Sequence, residues 1–358
     1  MNGRNRVFSA LDRKETSRVP VGEIGGGYTD HIIRQLLDDT YSTTPDSYFQ
    51  NHCRVREHLG ADIVGARVTG PDVEVIATHE SLGTPIYRDF WGAAYTQPPN
   101  STVQLVEPIV STPEELDKWI PPVVHQFDKS LIKRFKTDTE FFVLGTVNAG
   151  FDLGYELLGF ERFMMWVVQE PAIMAAYFDK LIQTNLALAK MSCDAGADAI
   201  LIADDLAFNT GTFVDPSFLR AEYFPLLKAM VGEIQKKGLP VFLHSDGDLR
   251  NIIPDLIDCG IDVLQSCDPN ANMNIPSLKS EYGKDLVFMG NIDIDLLAKG
   301  TQRQVEIATR ELIHDARKGG GFILSASNVV ASYCIPENVR AMYATAHSEI
   351  LDLDRNST

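Results

Sequence analysis

Residues 198–246 read DAILIADDLAFNTGTFVDPSFLRAEYFPLLKAMVGEIQKKGLPVFLHSD. The apolar runs at the two ends of this stretch are short and lack strict alternation, which is typical of parallel strands covered on both faces. Between them, Asp215 and Pro216 form a helix-start signal, and Lys237 followed by Gly238 forms a helix-end signal. The stretch therefore predicts one β-α-β unit of an α/β fold.

Six further apolar runs of strand length occur along the 358 residues, with amphipathic stretches between them. The eight runs are VPVGEI (19–24), ADIVGARV (61–68), FFVLGTV (141–147), DAILIAD (198–204), PVFLHS (240–245), IDVLQSC (261–267), LVFMGNI (286–292) and FILSAS (322–327). Eight strands alternating with helices predict a (β/α)8 TIM barrel over residues 1–358 as a single domain, with an N-terminal helical extension. A doubly wound open sheet is the rival, but Gly25, Gly26 and Gly27 are followed by Tyr28 rather than by a GxGxxG spacing.

One segment departs from this rhythm. Residues 72–110 alternate apolar and polar positions and contain several turn residues. This pattern predicts a β-hairpin excursion after the second strand, at the C-terminal face of the barrel. Two interpretations of the excursion stay open, a surface decoration and a lid or partner-docking flap.

The charge and composition exclude several protein classes. The chain has 32 Lys and Arg against 49 Asp and Glu, for a formal net charge of −17. It therefore lacks the basic surface that a nucleic-acid-binding protein needs, and its field repels polyanionic substrates. The N-terminal stretch has no apolar secretion core, no apolar run is long enough to span a membrane, and the five cysteines lack CxxC spacing. We expect a soluble cytoplasmic protein without a membrane partner.

The active site of a TIM barrel lies at the C-terminal ends of its strands, so the residues that follow each run are the candidates. Together they are mostly acidic or polar, and apart from Arg67 they have no neutralising group unless a cation binds. The candidates are Glu23, Arg67, Asn148, Asp204, Asp205, His244, Asp246, Cys267, Asp268, Asn291, Asp293 and residues 325–328.

His244 is the one histidine of eight that is predicted to lie at a strand end. Asp246 follows two residues later, and Cys267 ends the next strand. These three side chains offer nitrogen, oxygen and sulfur donors to one point, a set that zinc accepts. The alternative is that His244 and Asp246 form a hydrogen-bonded pair that shapes the pocket, while Cys267 is simply buried.

Two further groups are candidates for catalysis or substrate binding. Because adjacent strand residues point to opposite faces, one of Asp204 and Asp205 is expected to enter the barrel mouth unless the strand has already ended. That carboxylate would orient a substrate or take a proton, while the other would cap a helix or pair with an arginine. Tyr155 follows the third strand together with Asn148, and its phenol either donates a hydrogen bond to a substrate oxygen or packs in the core.

Segments from nearly the whole chain resemble the uroporphyrinogen decarboxylase superfamily. This resemblance implies a TIM barrel that is often dimeric, so a homodimer is expected. The superfamily contains the tetrapyrrole decarboxylase and a set of corrinoid-dependent methyltransferases, many of which use zinc. The segments are NRVFSALDRKETSRVPV (5–21), AGADAILIADDLAF (195–208), DPSFLRAEYFPLLKAMVGEI (215–234), GLPVFLHSDGDLRNIIPDLIDCGIDVLQ (238–265), FMGNID (288–293), GGGFILSASN (319–328) and PENVRAMY (336–343).

The resemblance to the decarboxylase itself fails at its substrate clamp. That enzyme binds an octa-acid with an arginine-rich loop of the form RQAGRY after strand one, whereas this chain has EIGGGYTDHIIRQLL there, with no arginine before Arg34. Asn328 stands at the family's pocket histidine and Asp205 at its pocket serine, while Tyr155 falls at its substrate tyrosine. The missing clamp and the net charge argue against a substrate with eight carboxylates.

The methyltransferase branch resembles this chain more closely. Its thiol-methylating members hold zinc with a His-x-Cys pair and a later cysteine near the final strand. His244 matches the first of these ligands, Asp246 replaces the second and Asn328 replaces the third. This oxygen-rich set suits a Lewis acid that polarises an oxygen or nitrogen, as in members that move a methyl group from a methoxylated or methylated molecule to a corrinoid protein.

The sequence therefore predicts a methyltransferase that acts between a small methoxylated or methylated molecule and a corrinoid (cobalamin) carried by a partner protein, with zinc as Lewis acid. A uroporphyrinogen decarboxylase-type lyase is the first alternative, and a non-catalytic small-molecule-binding barrel is the second. The predicted catalytic residues are His244, Asp205 and Tyr155, and the predicted metal ligands are His244, Asp246 and Cys267. The predicted substrate-binding residues are Glu23, Asn148, Asp204, Asn291 and Asn328.

Overall fold

The computed structural model describes residues 1–24, 27–44, 46–98, 103–125 and 127–350. Three features of the sequence analysis extend past these limits. Part of the glycine run after the first predicted strand, residues 99–102 of the predicted excursion and the C-terminal end of the predicted domain lie outside the described residues.

Thirteen strands form three sheets in the described residues. Seven of the strands make one parallel sheet in the order β1-β6-β7-β10-β11-β12-β13, so sheet order follows chain order and the sheet curls. The predicted α/β class is thereby confirmed. In chain order the strands are β1 (Ile63–Ala66), β2 (Glu74–Thr78), β3 (Pro85–Arg88), β4 (Ala94–Thr96), β5 (Gln104–Glu107), β6 (Phe142–Asn148), β7 (Ala199–Ala203), β8 (Ala207–Phe208), β9 (Gly211–Thr212), β10 (Val241–Ser245), β11 (Val263–Ser266), β12 (Val287–Ile292) and β13 (Phe322–Ala326).

Helices connect the parallel strands. The helix predicted to start at Asp215 is present: its carboxylate accepts a hydrogen bond from Ser217 N at 2.8 Å, and a π-helical turn over Leu219–Tyr223 joins α9 to α10. The described helices are α1 (Gly3–Leu11), α2 (Asp30–Leu37), α3 (Ser47–Leu59), α4 (Pro113–Lys118), α5 (Ser130–Asp138), α6 (Phe151–Leu158), α7 (Phe160–Gln169), α8 (Pro171–Asp194), α9 (Pro216–Phe218), α10 (Phe224–Gln235), α11 (Ile253–Asp258), α12 (Ile275–Tyr282), α13 (Ile294–Lys299), α14 (Gln302–Ala316) and α15 (Pro336–Ser348). None of these helices combines the length and the apolar character needed to cross a bilayer.

The first predicted strand is reduced to an isolated bridge. Val21 pairs in parallel with Leu324 of β13, and Leu324 N donates to Pro20 O at 2.9 Å. On its other side, Val21 O accepts from Asp62 N at 2.7 Å, next to the start of β1. Pro20 has no N–H to donate, and Val21 N is bound by the Asp62 carboxylate at 3.0 Å, so a longer ladder does not form. The segment nevertheless contacts both edges of the parallel sheet, which gives a barrel-like fold.

Apolar side chains fill the inside of this sheet. Phe142, Leu201, Phe242 and other inward-facing residues form one buried cluster, and Val7 of α1 belongs to it. Phe8 of α1 also meets Phe142 edge to face at 5.0 Å between ring centroids. The N-terminal helix thus packs against the interior cluster, and the polar strand-end residues lie toward the opposite, C-terminal end of the sheet.

The excursion forms more than the single predicted hairpin. Strands β2, β3, β4 and β5 make a four-stranded antiparallel sheet, which we call the excursion sheet. Aromatic contacts attach the β3–β4 connection to the rest of the fold: Trp91 stacks on Trp119 at 6.3 Å, and Phe90 meets Phe127 edge to face at 4.9 Å.

Candidate active site

Three side chains that could ligate a metal ion converge at the C-terminal ends of two neighbouring strands. Asp205 follows β7, His244 lies in β10 and Asp246 follows β10, and one donor atom of each lies within 4.8 Å of the others. His244 Nε2 is 3.9 Å from Asp205 Oδ1, and the same oxygen accepts from Asp246 N at 2.8 Å. We call these three residues the donor cluster. No other group of this kind occurs in the part of the chain that the structure describes.

The neighbouring strand orients His244. The β10–β11 register places His244 opposite Gln265, whose Oε1 lies 2.5 Å from His244 Nδ1. Because an amide oxygen only accepts, Nδ1 carries the proton and Nε2 has its lone pair free on the side of the carboxylates. Metal-binding histidines generally have such a partner on their second nitrogen.

Asp246 has one oxygen in use and one free. Its Oδ2 accepts from Asn328 Nδ2 at 2.5 Å, whereas its Oδ1 is buried and makes no hydrogen bond among the described residues, although the Ser266 hydroxyl is near enough to lower the pKa of this carboxyl. Burial raises the pKa of Asp246, His244 opposes this shift and Asp205 adds to it. A buried carboxylate oxygen without a partner is unfavourable, and a cation at the donor cluster would satisfy it. The nitrogen and oxygen donors fit zinc, and three protein ligands leave one coordination position open.

Cys267 does not join the donor cluster. Its side chain is buried, its Sγ lies 3.7 Å from the carbonyl oxygen of Leu264, and burial raises the pKa of its thiol. The structure thus brings Asp205, rather than Cys267, next to His244 and Asp246. Metal ligation by Cys267 stays a prediction without a supporting contact.

The two adjacent carboxylates Asp204 and Asp205 have different surroundings. Asp204 is completely buried, and its Oδ1 accepts from Phe151 N at 2.9 Å and Asp152 N at 3.0 Å, so it caps α6. Its other oxygen accepts from the hydroxyl of Tyr223. The strand ends before this pair, and only Asp205 belongs to the donor cluster.

A cavity of about 580 Å³ opens at the C-terminal ends of the neighbouring strands β1 and β6, and we call it the aromatic cavity. It is lined on one side by residues of the parallel sheet and α6, and on the other by aromatic residues of the excursion sheet and its β3–β4 connection. The excursion is therefore one wall of the cavity, and the decoration and lid or docking-flap interpretations of this segment both stay open. The lining includes Arg67, Asn148 and Tyr155 from the first side, and Tyr87, Trp91 and Tyr95 from the second.

Tyr155 links the aromatic cavity to the donor cluster. It is half-buried on α6, and burial together with the negative charge of Asp205 raises the pKa of its phenol. The phenol therefore stays protonated and able to donate a hydrogen bond at neutral pH. Asp152 lies on the same helix, and burial and the charge of Asp204 raise its pKa well above the usual range.

The remaining predicted substrate-binding residues contact protein groups. The Glu23 carboxylate is buried and accepts from Ala326 N at 3.2 Å and from Tyr343 Oη at 3.2 Å. Asn291 Nδ2 donates to Cys267 O at 2.5 Å and to the carbonyl of Met273 at 2.9 Å. Substrate contacts by these residues stay predictions.

Local sequence patterns did not identify Gln265 or the aromatic residues of the excursion as site residues. Gln265 is a polar residue inside the apolar run IDVLQSC, and that irregularity is the one local signal that marks it. The cavity-facing positions of Tyr87, Trp91 and Tyr95 have no local signal, because they depend on how the excursion sheet folds back over the strand ends.

Comparisons with known proteins bear on the fold and the family. The chain is 26% identical to the methylated-thiol–coenzyme M methyltransferase of Methanosarcina mazei, over 91% of this chain and 87% of that protein. It is 22% identical to the methylcobamide:CoM methyltransferase of Methanosarcina barkeri (73% and 74% covered) and 23% identical to the uroporphyrinogen decarboxylase of Chlorobium chlorochromatii (95% and 96% covered).

A solved structure and a family model extend these similarities. A methyltransferase from Methanosarcina mazei superposes with a TM-score of 0.73 at 19% identity, over 97% of this chain and 99% of that one, and so has the same fold. The uroporphyrinogen decarboxylase (URO-D) model matches residues 2–349. The chain belongs to the uroporphyrinogen decarboxylase family.

Proposed function

We propose that the protein is a methyltransferase that moves a methyl group between a small methoxylated or methylated molecule and a corrinoid carried by a partner protein. The observation that carries the proposal is the donor cluster, in which two carboxylates and one oriented imidazole meet beside a cavity. Relatives named as methylated-thiol and methylcobamide methyltransferases support methyl transfer within this family.

We infer that the donor cluster holds a divalent metal, with zinc as the first candidate. Support comes from the unpartnered Oδ1 of Asp246 and from the free lone pair of His244 Nε2. When bound there, such an ion supplies Lewis-acid polarisation of a substrate oxygen or nitrogen. The two carboxylates make this a harder site than a thiolate set, which favours an ether or amine donor over a thioether.

The side chains of this chain have separate tasks in that reaction. Gln265 holds the His244 ring, and Asn328 holds the Asp246 carboxylate. Breaking a methyl–oxygen bond leaves negative charge on the oxygen, and a hydrogen bond that strengthens as this charge develops lowers the barrier. The protonated phenol of Tyr155 is placed at the cavity wall to donate that bond, with its proton held at Oη.

The alternatives have weaker support. A decarboxylase acting on a porphyrinogen needs several cationic groups for its carboxylates, and the stretch after the first strand has no arginine before Arg34. A non-catalytic barrel would not need the oriented imidazole and free carboxylate oxygen of the donor cluster. We also propose that the protein works as a cytoplasmic homodimer, which accords with its five unpaired cysteines and with the prevalence of symmetric oligomers.

The test combines metal content with methyl transfer. Protein produced in zinc-supplemented medium is analysed for bound metals by mass spectrometry and then supplied with cob(I)alamin and a panel of methoxylated and methylated donors, with methylcobalamin followed by absorbance. We expect about one zinc per chain and transfer from at least one donor, both lost in His244→Ala. His314→Ala, on the exposed face of α14, is the matched control and should leave both unchanged.

Two results would overturn the proposal. Metal-free wild-type protein after zinc supplementation removes the Lewis-acid role, and release of CO2 from uroporphyrinogen without methyl transfer establishes the lyase alternative. Donor binding that is unchanged in His244→Ala, together with no methyl transfer from any donor, establishes the non-catalytic alternative.

A further inference from the structure

We propose that the aromatic cavity binds a small aromatic carboxylate, whose carboxylate pairs with Arg67 and whose opposite end points to the donor cluster. This inference deepens the proposed function. That the bound molecule carries a reacting methoxyl or methyl group rests on the proposed function. The binding of its carboxylate and its ring is independent of that function.

Arg67 is a cation with unused donors. It follows β1 directly, its side chain is exposed, and it lines the aromatic cavity. One of its nitrogens donates to Asn148 Oδ1 at 2.7 Å, and within the described residues this is its one hydrogen bond to protein. A guanidinium has five N–H donors in a planar fork that matches a carboxylate with two parallel hydrogen bonds. Several of these donors are therefore available to a ligand.

The acidic neighbours of Arg67 do not neutralise it by direct pairing. Neither Asp152 nor Glu156 has an oxygen within 4.0 Å of the guanidinium among the described residues, although both carboxylates lie close enough to affect its pKa. Burial raises the pKa of Glu156, and burial with the charge of Asp204 raises that of Asp152. Asp152 is thus shifted strongly toward its neutral form, whereas an arginine stays charged even where burial lowers its pKa. This end of the cavity favours an anion.

The walls of the cavity favour a flat ring. Tyr87, Trp91 and Tyr95 line it from the excursion sheet and its β3–β4 connection, and Phe127 and Phe160 complete the aromatic lining. Aromatic side chains bind a planar apolar body through stacked and edge-to-face contacts. A cavity of about 580 Å³ lies within the size range of small-molecule sites, in which a largely apolar lining with few polar groups is typical.

Strand register connects the two ends of the proposed site. Asn148 lines the cavity and is the register partner of Ala203 in β7, whose partner on the other side is His244, so the cavity opens two strands away from the donor cluster. Tyr155 lines the same cavity from α6. A ring whose carboxylate is held by Arg67 therefore extends toward Tyr155 and the donor cluster, where a methoxyl group would react.

Binding of para-methoxybenzoate and of its neutral isostere para-methoxybenzamide is compared by calorimetry. We expect wild-type protein to bind the benzoate at least about tenfold more tightly than the amide, as is typical for a charge-assisted hydrogen-bonded pair. Arg67→Gln should abolish this preference, and Arg67→Lys should restore part of it because it keeps the charge but not the fork. Arg303→Gln, on the surface of α14, is the matched control and should bind as wild type does.

The outcomes separate this inference from the proposed function. Tight, Arg67-dependent benzoate binding without methyl transfer to cob(I)alamin supports the carboxylate site and contradicts the proposed methyltransferase function. Methyl transfer from neutral donors, with benzoate binding unchanged in a folded Arg67→Gln variant, overturns the carboxylate site and leaves the methyltransferase function in place. A wild-type protein that binds neither probe, or both equally, also overturns the site. Circular dichroism melts of each variant verify that it is folded.

Discussion

Gln265 Oε1 lies 2.5 Å from His244 Nδ1, and this contact between two neighbouring strands determines which nitrogen of the ring faces the donor cluster. The amide oxygen holds the proton on Nδ1 and leaves Nε2 as the nitrogen directed at Asp205. Gln265 is itself buried, so its amide has no competing solvent. The strand register therefore presents the imidazole with its Nε2 toward the carboxylates, the orientation that a metal at the donor cluster requires.

Replacing Gln265 by methionine should weaken zinc binding without removing a ligand. The methionine has similar volume but cannot accept the Nδ1 proton, so the ring is free to rotate and to change tautomer. We expect about a 10–100-fold loss of zinc affinity, measured by competition with a chromophoric chelator. Gln183→Met, on the exposed side of α8, is the control and should bind zinc as wild type does. An unchanged affinity in Gln265→Met would show that the contact does not orient a ligand.

The neighbours Asp204 and Asp205 should respond in opposite ways to substitution. Asp204→Ala removes the cap of α6 and the acceptor of the buried Tyr223 hydroxyl, so we expect a loss of about 2–3 kcal/mol in the free energy of unfolding. Asp205→Asn should change stability little and reduce zinc affinity, because its carboxylate is half-exposed and belongs to the donor cluster. Urea titrations and chelator competition on both variants measure the two effects. Equal losses of stability would contradict this division.

The parallel strands could be predicted from local sequence. The first predicted strand shows where such a prediction fails. Apolar runs without alternation report burial on both faces, which is why seven of the eight runs form the parallel sheet. The run at 19–24 is equally apolar, but Pro20 lacks an N–H and the Asp62 carboxylate binds Val21 N. The latter contact joins residues 41 positions apart, and no local pattern reveals it.

The donor cluster was only partly predictable for a similar reason. His244 and Asp246 stand at the end of one strand, so their placement follows from that strand alone. The third donor depends on where β7 ends and on how β7 pairs with β10, because those two facts decide whether Asp204 or Asp205 turns toward His244. Cys267 has a left-handed backbone conformation, with φ of 56°, just beyond the end of β11, and its thiol stays buried. A strand-end pattern does not reveal that change of direction.

Glu23 should make the stability of the protein depend on pH. Its carboxyl is buried next to Tyr343, whose hydroxyl lies 2.5 Å from that of Tyr28, and Arg56 is the nearby cation. Burial outweighs the favourable hydrogen bonds and raises the pKa of Glu23 from 4.5 to about 7. The folded protein therefore holds a proton that the unfolded chain releases, so this group lowers stability as the pH rises from about 4.5 to 7.

The variant Glu23→Gln removes this titration and keeps an acceptor for Ala326 N. We expect the difference in unfolding free energy between variant and wild type to shift in favour of the variant by about 2–3 kcal/mol between pH 5 and pH 7.5. Guanidinium titrations at the two pH values measure it, with the exposed Glu311→Gln as control. A difference that does not change with pH would mean that Glu23 is ionised throughout, as a substrate-binding carboxylate would be.

Asp62 should be the strongest single contributor to the attachment of the N-terminal segment. Its carboxylate pairs with Arg6 at 2.6 Å and with Arg18 at 2.8 Å, and it also accepts from Val21 N. Asp62→Ala leaves two largely buried guanidinium groups unpaired and frees the segment that bridges to β13, so we expect a loss of about 3–5 kcal/mol. Asp12→Ala breaks an exposed pair with Lys14 and should change stability little.

Urea unfolding midpoints compare these two variants with wild type. Should Asp62→Ala fail to fold, Asp62→Asn provides the milder test, since its amide oxygen can still accept from Val21 N although both Arg6 and Arg18 lose their charge partner. Its midpoint should lie between those of wild type and Asp62→Ala, because only part of the contact set is lost. Equal midpoints for Asp62→Asn, Asp12→Ala and wild type would show that the first predicted strand is held by its backbone hydrogen bonds, without the ion pairs.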